Sequence, residues 1–160
     1  MTKKEIHQRF IAQLAAELET ITVAAKKSFA TATDEEHHAE GKYDTFKLES
    51  SYLARGQAKR VEELTQALAS LQMLPLHELH DTSPIQLGAL VRLEDGDGAR
   101  RGLLLGSAAG GERIVADGEE IMIVTSRSPL GRAVLGKIVG DTFVLTIGLD
   151  TRKHKVLSVE

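Results

Sequence analysis

Between Ser28 and Phe46 the chain reads SFATATDEEHHAEGKYDTF, which carries five acids, Asp34, Glu35, Glu36, Glu40 and Asp44, beside His37 and His38. Lys42 is the one strong base among them. Clustered carboxylates are hard oxygen donors that suit Mg²⁺, and carboxylates held at a protruding turn can bind that ion and orient a water inside another molecule's cavity. The alternative is a solvated loop, the usual fate of a charge run. His37 and His38 are neighbours, so on a helix they point about 100° apart and are poorly placed to chelate one ion together. His37 with Glu36 or Glu40 is a possible ligand set, against plain solvation.

Other motifs give weaker chemistry. HELH (His77–His80) resembles a zinc motif, but its second histidine comes three residues after the first instead of four, in a proline-flanked stretch. A polar linker is the simpler reading. DGDGARRG, from Asp95, lacks the third oxygen ligand and closing Glu of a calcium loop, so it reads as a hairpin turn. GSAAGG (Gly106–Gly111) has no P-loop lysine and no following helix, and reads as a strand connection.

The elements that must position the acids fall into two halves. Ile11, Leu14, Leu18, Ile21 and Ala25 step by three and four residues, and the step returns at Val61, Leu64, Leu68 and Leu71. No Pro precedes Pro75, and only Gly41 and Gly56 precede it among glycines. Two helices of roughly 27 residues would make an antiparallel hairpin about 40 Å long, with the acids at its tip. Two helices of a compact bundle are the alternative. Past Pro75 the runs ALVRL, RGLLLG, EIMIVT and TFVLTI read as strands, punctuated by EDGDG, AAGGE and GLDTRK. SPLGRAVLG reads as a short helix, capped by Ser128 with Pro129 at its first position. The expected fold class is α+β: a coiled-coil hairpin over 1–75, a linker over 76–84 and a β-rich globular domain over 85–160.

Composition bounds the function. The chain has 160 residues, 42% hydrophobic and 4% aromatic, with a net charge of −3, which argues against a duplex-wrapping protein. Cysteine is absent, which excludes disulfides and thiolate chemistry and fits a reducing cytoplasm. MTKKEIHQRF lacks the apolar core of a signal peptide, and no apolar run approaches membrane-spanning length, so no membrane association is expected.

SPLGRAVLGKIVGD (Ser128–Asp141) resembles the C-terminal signature of the bacterial transcript cleavage factors GreA and GreB. LGALVRLEDGDG and EIMIVTSRSPLG are similar to earlier strands of the same domain, and GKYDTFKLESSYLARGQAKRVEEL (Gly41–Leu64) resembles the start of the family's second coiled-coil helix. The likeness spans essentially the whole chain. It implies an FKBP-like globule that docks on the rim of the RNA polymerase secondary channel, and a hairpin that enters the channel. The acids at the tip would help to hold the polymerase's second catalytic Mg²⁺ and orient water for cleavage of a backtracked transcript. The resemblance thus implies an accessory factor rather than an enzyme, with bacterial RNA polymerase as partner, nucleic acid met only through the elongation complex, and Mg²⁺ belonging to the polymerase. A monomer is the default for such a factor.

Anchored on Tyr43, the family's Asp position falls on Glu36 and its following Glu position on Ala39, with Glu40 one residue away. Glu40, Gly41 and Lys42 replace the family's Asn-Ala-Glu. Glu36 and Glu40 are therefore the leading catalytic and metal-facing candidates, followed by Asp34 and Glu35, while Asp44 is assigned to the start of the second helix. Ser128, Pro129 and Leu130 are the candidate partner-binding residues, joined by Arg127 where the family commonly carries an acid. A non-cleaving channel regulator is the alternative within this partner class. A prolyl isomerase would need an aromatic-lined pocket, yet Phe143 is the single Phe, Tyr or Trp in residues 76–160. A hydrolase acting alone would need an enclosed cleft that a tip does not provide.

Overall fold

A computed structural model describes the backbone of residues 1–34 and 43–160, and the side chains of residues 1–28, 30 and 52–160. Helix α1 (Lys3–Asp34) opens on a capping box: the Thr2 N–H donates to Glu5 Oε2 at 2.7 Å and the Glu5 N–H to Thr2 Oγ1 at 3.3 Å. Helix α2 (Tyr43–Gln72) follows. Chain contacts divide the molecule into two units, Ala12–Leu68 and a second made of Met1–Ile11 with Ala69–Glu160.

In the first unit the three-four periodicity is realised. Leu14 and Leu64 are buried, and Leu18, Ile21, Ala25, Val61 and Leu68 are half-buried. Arg60 on α2 donates to Glu17 on α1 at 2.8 Å, a surface pair that adds little stability but marks which helix faces meet.

The second unit holds a six-stranded mixed sheet: β1 (Leu90–Asp95), β2 (Arg100–Gly106), β3 (Arg113–Ala116), β4 (Glu119–Thr125), β5 (Thr142–Ile147) and β6 (Asp150–Val159), in the spatial order β3-β4-β2-β1-β6-β5. β2 and β4 pair in parallel, and the other neighbours are antiparallel. The expected α+β class, helices first and a β-rich domain after them, is the one found. Turn chemistry explains the DGDG hairpin: Gly98 sits at φ +83°, the Asp95 N–H donates to the Ala99 carbonyl, and β1 is returned as β2. GLDTRK, read from sequence as a hairpin or loop signal, is a tight hairpin turn at Gly148–Leu149, and its last four residues already belong to β6. The short β3 was also not anticipated.

One core layer comprises Val91, Leu93, Leu103, Leu105, Val124, Val134 and Val156, with Leu130 and Phe143 packed against it. Leu90, Leu104, Ile121 and Ile123 alternate with these along the strands and are buried as well, so the central strands are covered on both faces. In the same unit Ile6, Phe10, Leu71 and Leu74 are buried. There the His7 Nε2–H donates to the Leu71 carbonyl at 2.7 Å, and Arg9 donates to the Val115 carbonyl at 2.8 Å. Among the described residues no helix is long and apolar enough to cross a membrane.

Candidate functional site

Helix α3 (Pro129–Val134) follows β4 directly and is built as its residue types require. Ser128 has extended dihedrals (φ −70°, ψ 158°); its Oγ accepts from the Gly131 N–H at 3.0 Å and donates to the Thr125 carbonyl at 2.8 Å. Pro129 occupies the first helical position, where the absent N–H costs nothing. Gly131 touches the end of β4 so closely that a Cβ there would lie 1.9 Å from the Thr125 carbonyl oxygen. One hydroxyl and one missing methyl group thus hold the helix start against the strand. They leave Pro129 exposed and Leu130 half-buried.

This helix start borders a groove of about 640 Å³. Met122, Leu130, Leu145 and Ile147 supply apolar lining, and Arg101, Arg152 and His154 bring polar groups to it. Arg127 and Arg132 beside the helix start are exposed, and neither forms an ion pair among the described residues.

Sequence reasoning missed the groove's polar anchor. The β1–β6 register sets Asp95 opposite His154, and His154 Nδ1 donates to Asp95 Oδ1 at 2.7 Å, both side chains being buried. The second oxygen of Asp95 accepts from Arg101. Phe143 stacks on the His154 ring at 5.1 Å between centroids, and the Lys137 ammonium lies 5.7 Å from the Phe143 centroid. Phe143 is therefore committed to this stack and is not a lining residue of the groove. A pocket without a Phe, Tyr or Trp wall is poorly suited to prolyl isomerisation. The signal in the sequence was an acid ending β1 and a histidine flanked by basic residues, legible only once β6 is known to be a strand.

The other candidates are placed as follows. Ser128, Pro129 and Leu130 come together at the groove's border, with Arg127 adjoining them. Asp34 is the last residue of α1, and α2 starts at Tyr43, which puts Asp44 in its first turn as expected. Glu35, Glu36, His37, His38 and Glu40 lie outside the described residues. Residues 77–80 of the HELH stretch have no regular secondary structure, and no cluster of three or more His, Asp or Glu able to hold a metal occurs among the described residues.

No protein-family model and no curated protein matches the sequence. Among solved structures the chain is similar to the transcription factor Gfh1, with 21% identity over 94% of this chain and 92% of that one and a TM-score of 0.42. It is similar to GreA factor homolog 1 of Thermus thermophilus, with 23% identity over 94% of each chain and a TM-score of 0.40. It is also similar to a prokaryotic elongation factor GreA/GreB from Nitrosomonas europaea, with 19% identity over 64% of this chain and 90% of that one and a TM-score of 0.38.

Proposed function

We propose that this protein is a divergent Gre-type transcription factor that binds bacterial RNA polymerase and regulates elongation. In this reading the FKBP-like globule docks through Ser128, Pro129, Leu130 and Arg127, and the helical hairpin presents its acids within the secondary channel. The observation that carries the reading is the segment Ser128–Asp141. Its sequence resembles the family signature, and its first residues fold into a rigid, exposed helix start beside an apolar groove. A loop fixed by a cap, a proline and a close glycine contact loses little freedom on binding, which favours its use as an anchor.

The tip acids would act on an ion that the polymerase supplies. Glu36 and Glu40, with Asp34 and Glu35 behind them, offer hard oxygen donors and negative charge that suit Mg²⁺. The protein has no reaction of its own in this scheme; it lends ligands to the polymerase's hydrolysis of backtracked RNA. A non-cleaving channel regulator is the second reading, favoured by Ala39 at the family's acidic position and by Glu40, Gly41 and Lys42 in place of Asn-Ala-Glu.

The test is RNA shortening in a stalled, backtracked elongation complex. A cleavage factor shortens the transcript, and Glu36→Gln with Glu40→Gln abolishes the shortening while leaving polymerase binding intact. A non-cleaving regulator shortens nothing, and the double change alters only its effect on initiation or pausing. A double variant identical to wild type in every polymerase assay would sink both readings of the tip.

A further inference from the structure

The two edges of the sheet are finished differently. β3 is four residues long, and the carbonyl of its Val115 accepts from Arg9. β5, at the opposite edge, is six residues of TFVLTI with no charge, no Pro and no bulge, whereas exposed edges are ordinarily blunted by such devices. Its end acids are engaged internally: Asp141 accepts from the Ile138 N–H, and Asp150 from Arg152.

The register fixes which groups face outward. A two-residue turn makes Ile147 and Asp150 a hydrogen-bonded pair, and the Val156 N–H donates to the Asp141 carbonyl at the far end of the ladder. By alternation, Phe143, Leu145 and Ile147 spend their backbone groups on β6, while Thr142, Val144 and Thr146 aim theirs away from the sheet. Among the described residues no hydrogen bond reaches those outward groups. Val144 and Ile147 are also about three-fifths exposed, at 61% and 62%.

We propose that β5 pairs antiparallel with β5 of a second copy of this chain, making a two-fold dimer with a continuous sheet. A second copy fits because the edge is complementary to itself. With Leu145 opposite Leu145 of the other copy, Val144 and Thr146 face each other in both directions as hydrogen-bonded pairs. The same register sets Phe143 opposite Ile147, so one face becomes an unbroken apolar ladder. No like charges meet along the strand. This inference does not rest on the proposed polymerase binding, and it departs from the monomer taken as the default.

Sedimentation of the full chain over a concentration series tests it. The expected result is a monomer–dimer equilibrium. Val144→Pro removes an outward N–H without touching the β6 ladder, and Thr146→Lys places a charge on the edge; each should weaken dimerisation by roughly tenfold or more. Because the chain lacks cysteine, Leu145→Cys should give a disulfide-linked dimer on mild oxidation, since the directly opposed positions are a close non-hydrogen-bonded pair. A monomer at every concentration overturns the proposal. So does a dimer that both edge substitutions leave unchanged while the circular dichroism spectrum reports an intact fold.

Discussion

The Gly131 Cα stands against the Thr125 carbonyl, so close that a methyl group at position 131 would lie 1.9 Å from that oxygen. The neighbour is backbone, anchored by the β4 ladder, and has no rotamer by which to yield. Gly131→Ala should therefore displace the start of α3 and cost about 1–3 kcal/mol, the range for overpacking a tight site. Thermal unfolding should show the loss, and polymerase affinity should fall with it, because Ser128, Pro129 and Leu130 move with the helix.

A second prediction concerns the anchor beneath the groove. Asp95 is the shared acceptor of His154 and Arg101, so Asp95→Ala leaves a buried ring N–H without a partner. The desolvation cost of one such orphan is about 1–3 kcal/mol. Arg101 adds little, since its side chain is partly exposed. Equal melting of Asp95→Ala and wild type in denaturant would show that the pair contributes nothing.

How much of this was legible in the sequence depended on how local each signal was. Ser128, Pro129 and Gly131 specify α3 within one turn, through a cap, a fixed φ and a close approach, and the three-four step of the leucines reports a helix without reference to any partner. The strand β6 is another matter. Arg152, Lys153 and Lys155 are exposed, and Gly148 and Asp150 are turn residues, so the segment carries loop chemistry. It is a strand because β1 and β5 both pair with it. Asp95 and His154 are 59 positions apart and meet only through that pairing. The burial of Ile6 and Phe10 likewise depends on neighbours beyond their helix, although they continue the spacing of Ile11 and Leu14 backwards.

The hairpin seam gives a graded prediction. Leu64 is 2% exposed, whereas Leu18 is half-buried. Leu64→Ala should cost about 2–5 kcal/mol and Leu18→Ala clearly less, because a partly wetted site loses less transfer energy and leaves a smaller void. Helicity followed during thermal unfolding measures both, and a reversed order would mean that the facing positions are misassigned.

The start of α1 should be acid-sensitive. Hydrogen bonds from the Thr2 backbone N–H, and then from its hydroxyl, hold the Glu5 carboxyl below the ordinary glutamate value. A carboxyl depressed in the folded state contributes its stability above its unfolded value, about 4.3, and loses it as the pH falls through the lower folded value. Glu5→Gln should therefore flatten part of the stability profile in that acidic window and leave the profile near neutrality parallel to wild type. A mutant profile of unchanged slope below pH ~4 would show that the capping box does not couple to folding.

The central claim is that the Ser128–Leu130 helix start anchors the protein to bacterial RNA polymerase. The most direct measurement is the affinity of the full chain for polymerase, by competition, for wild type, Pro129→Ala and the Glu36→Gln, Glu40→Gln double variant. Pro129 is exposed and sits where its lost ring removes no internal hydrogen bond, so Pro129→Ala should keep the fold. The account predicts that wild type binds, that the double tip variant binds equally well, and that Pro129→Ala binds at least about tenfold more weakly, a loss of about 1.4 kcal/mol. Equal affinity of Pro129→Ala and wild type, or no binding by wild type, would contradict it.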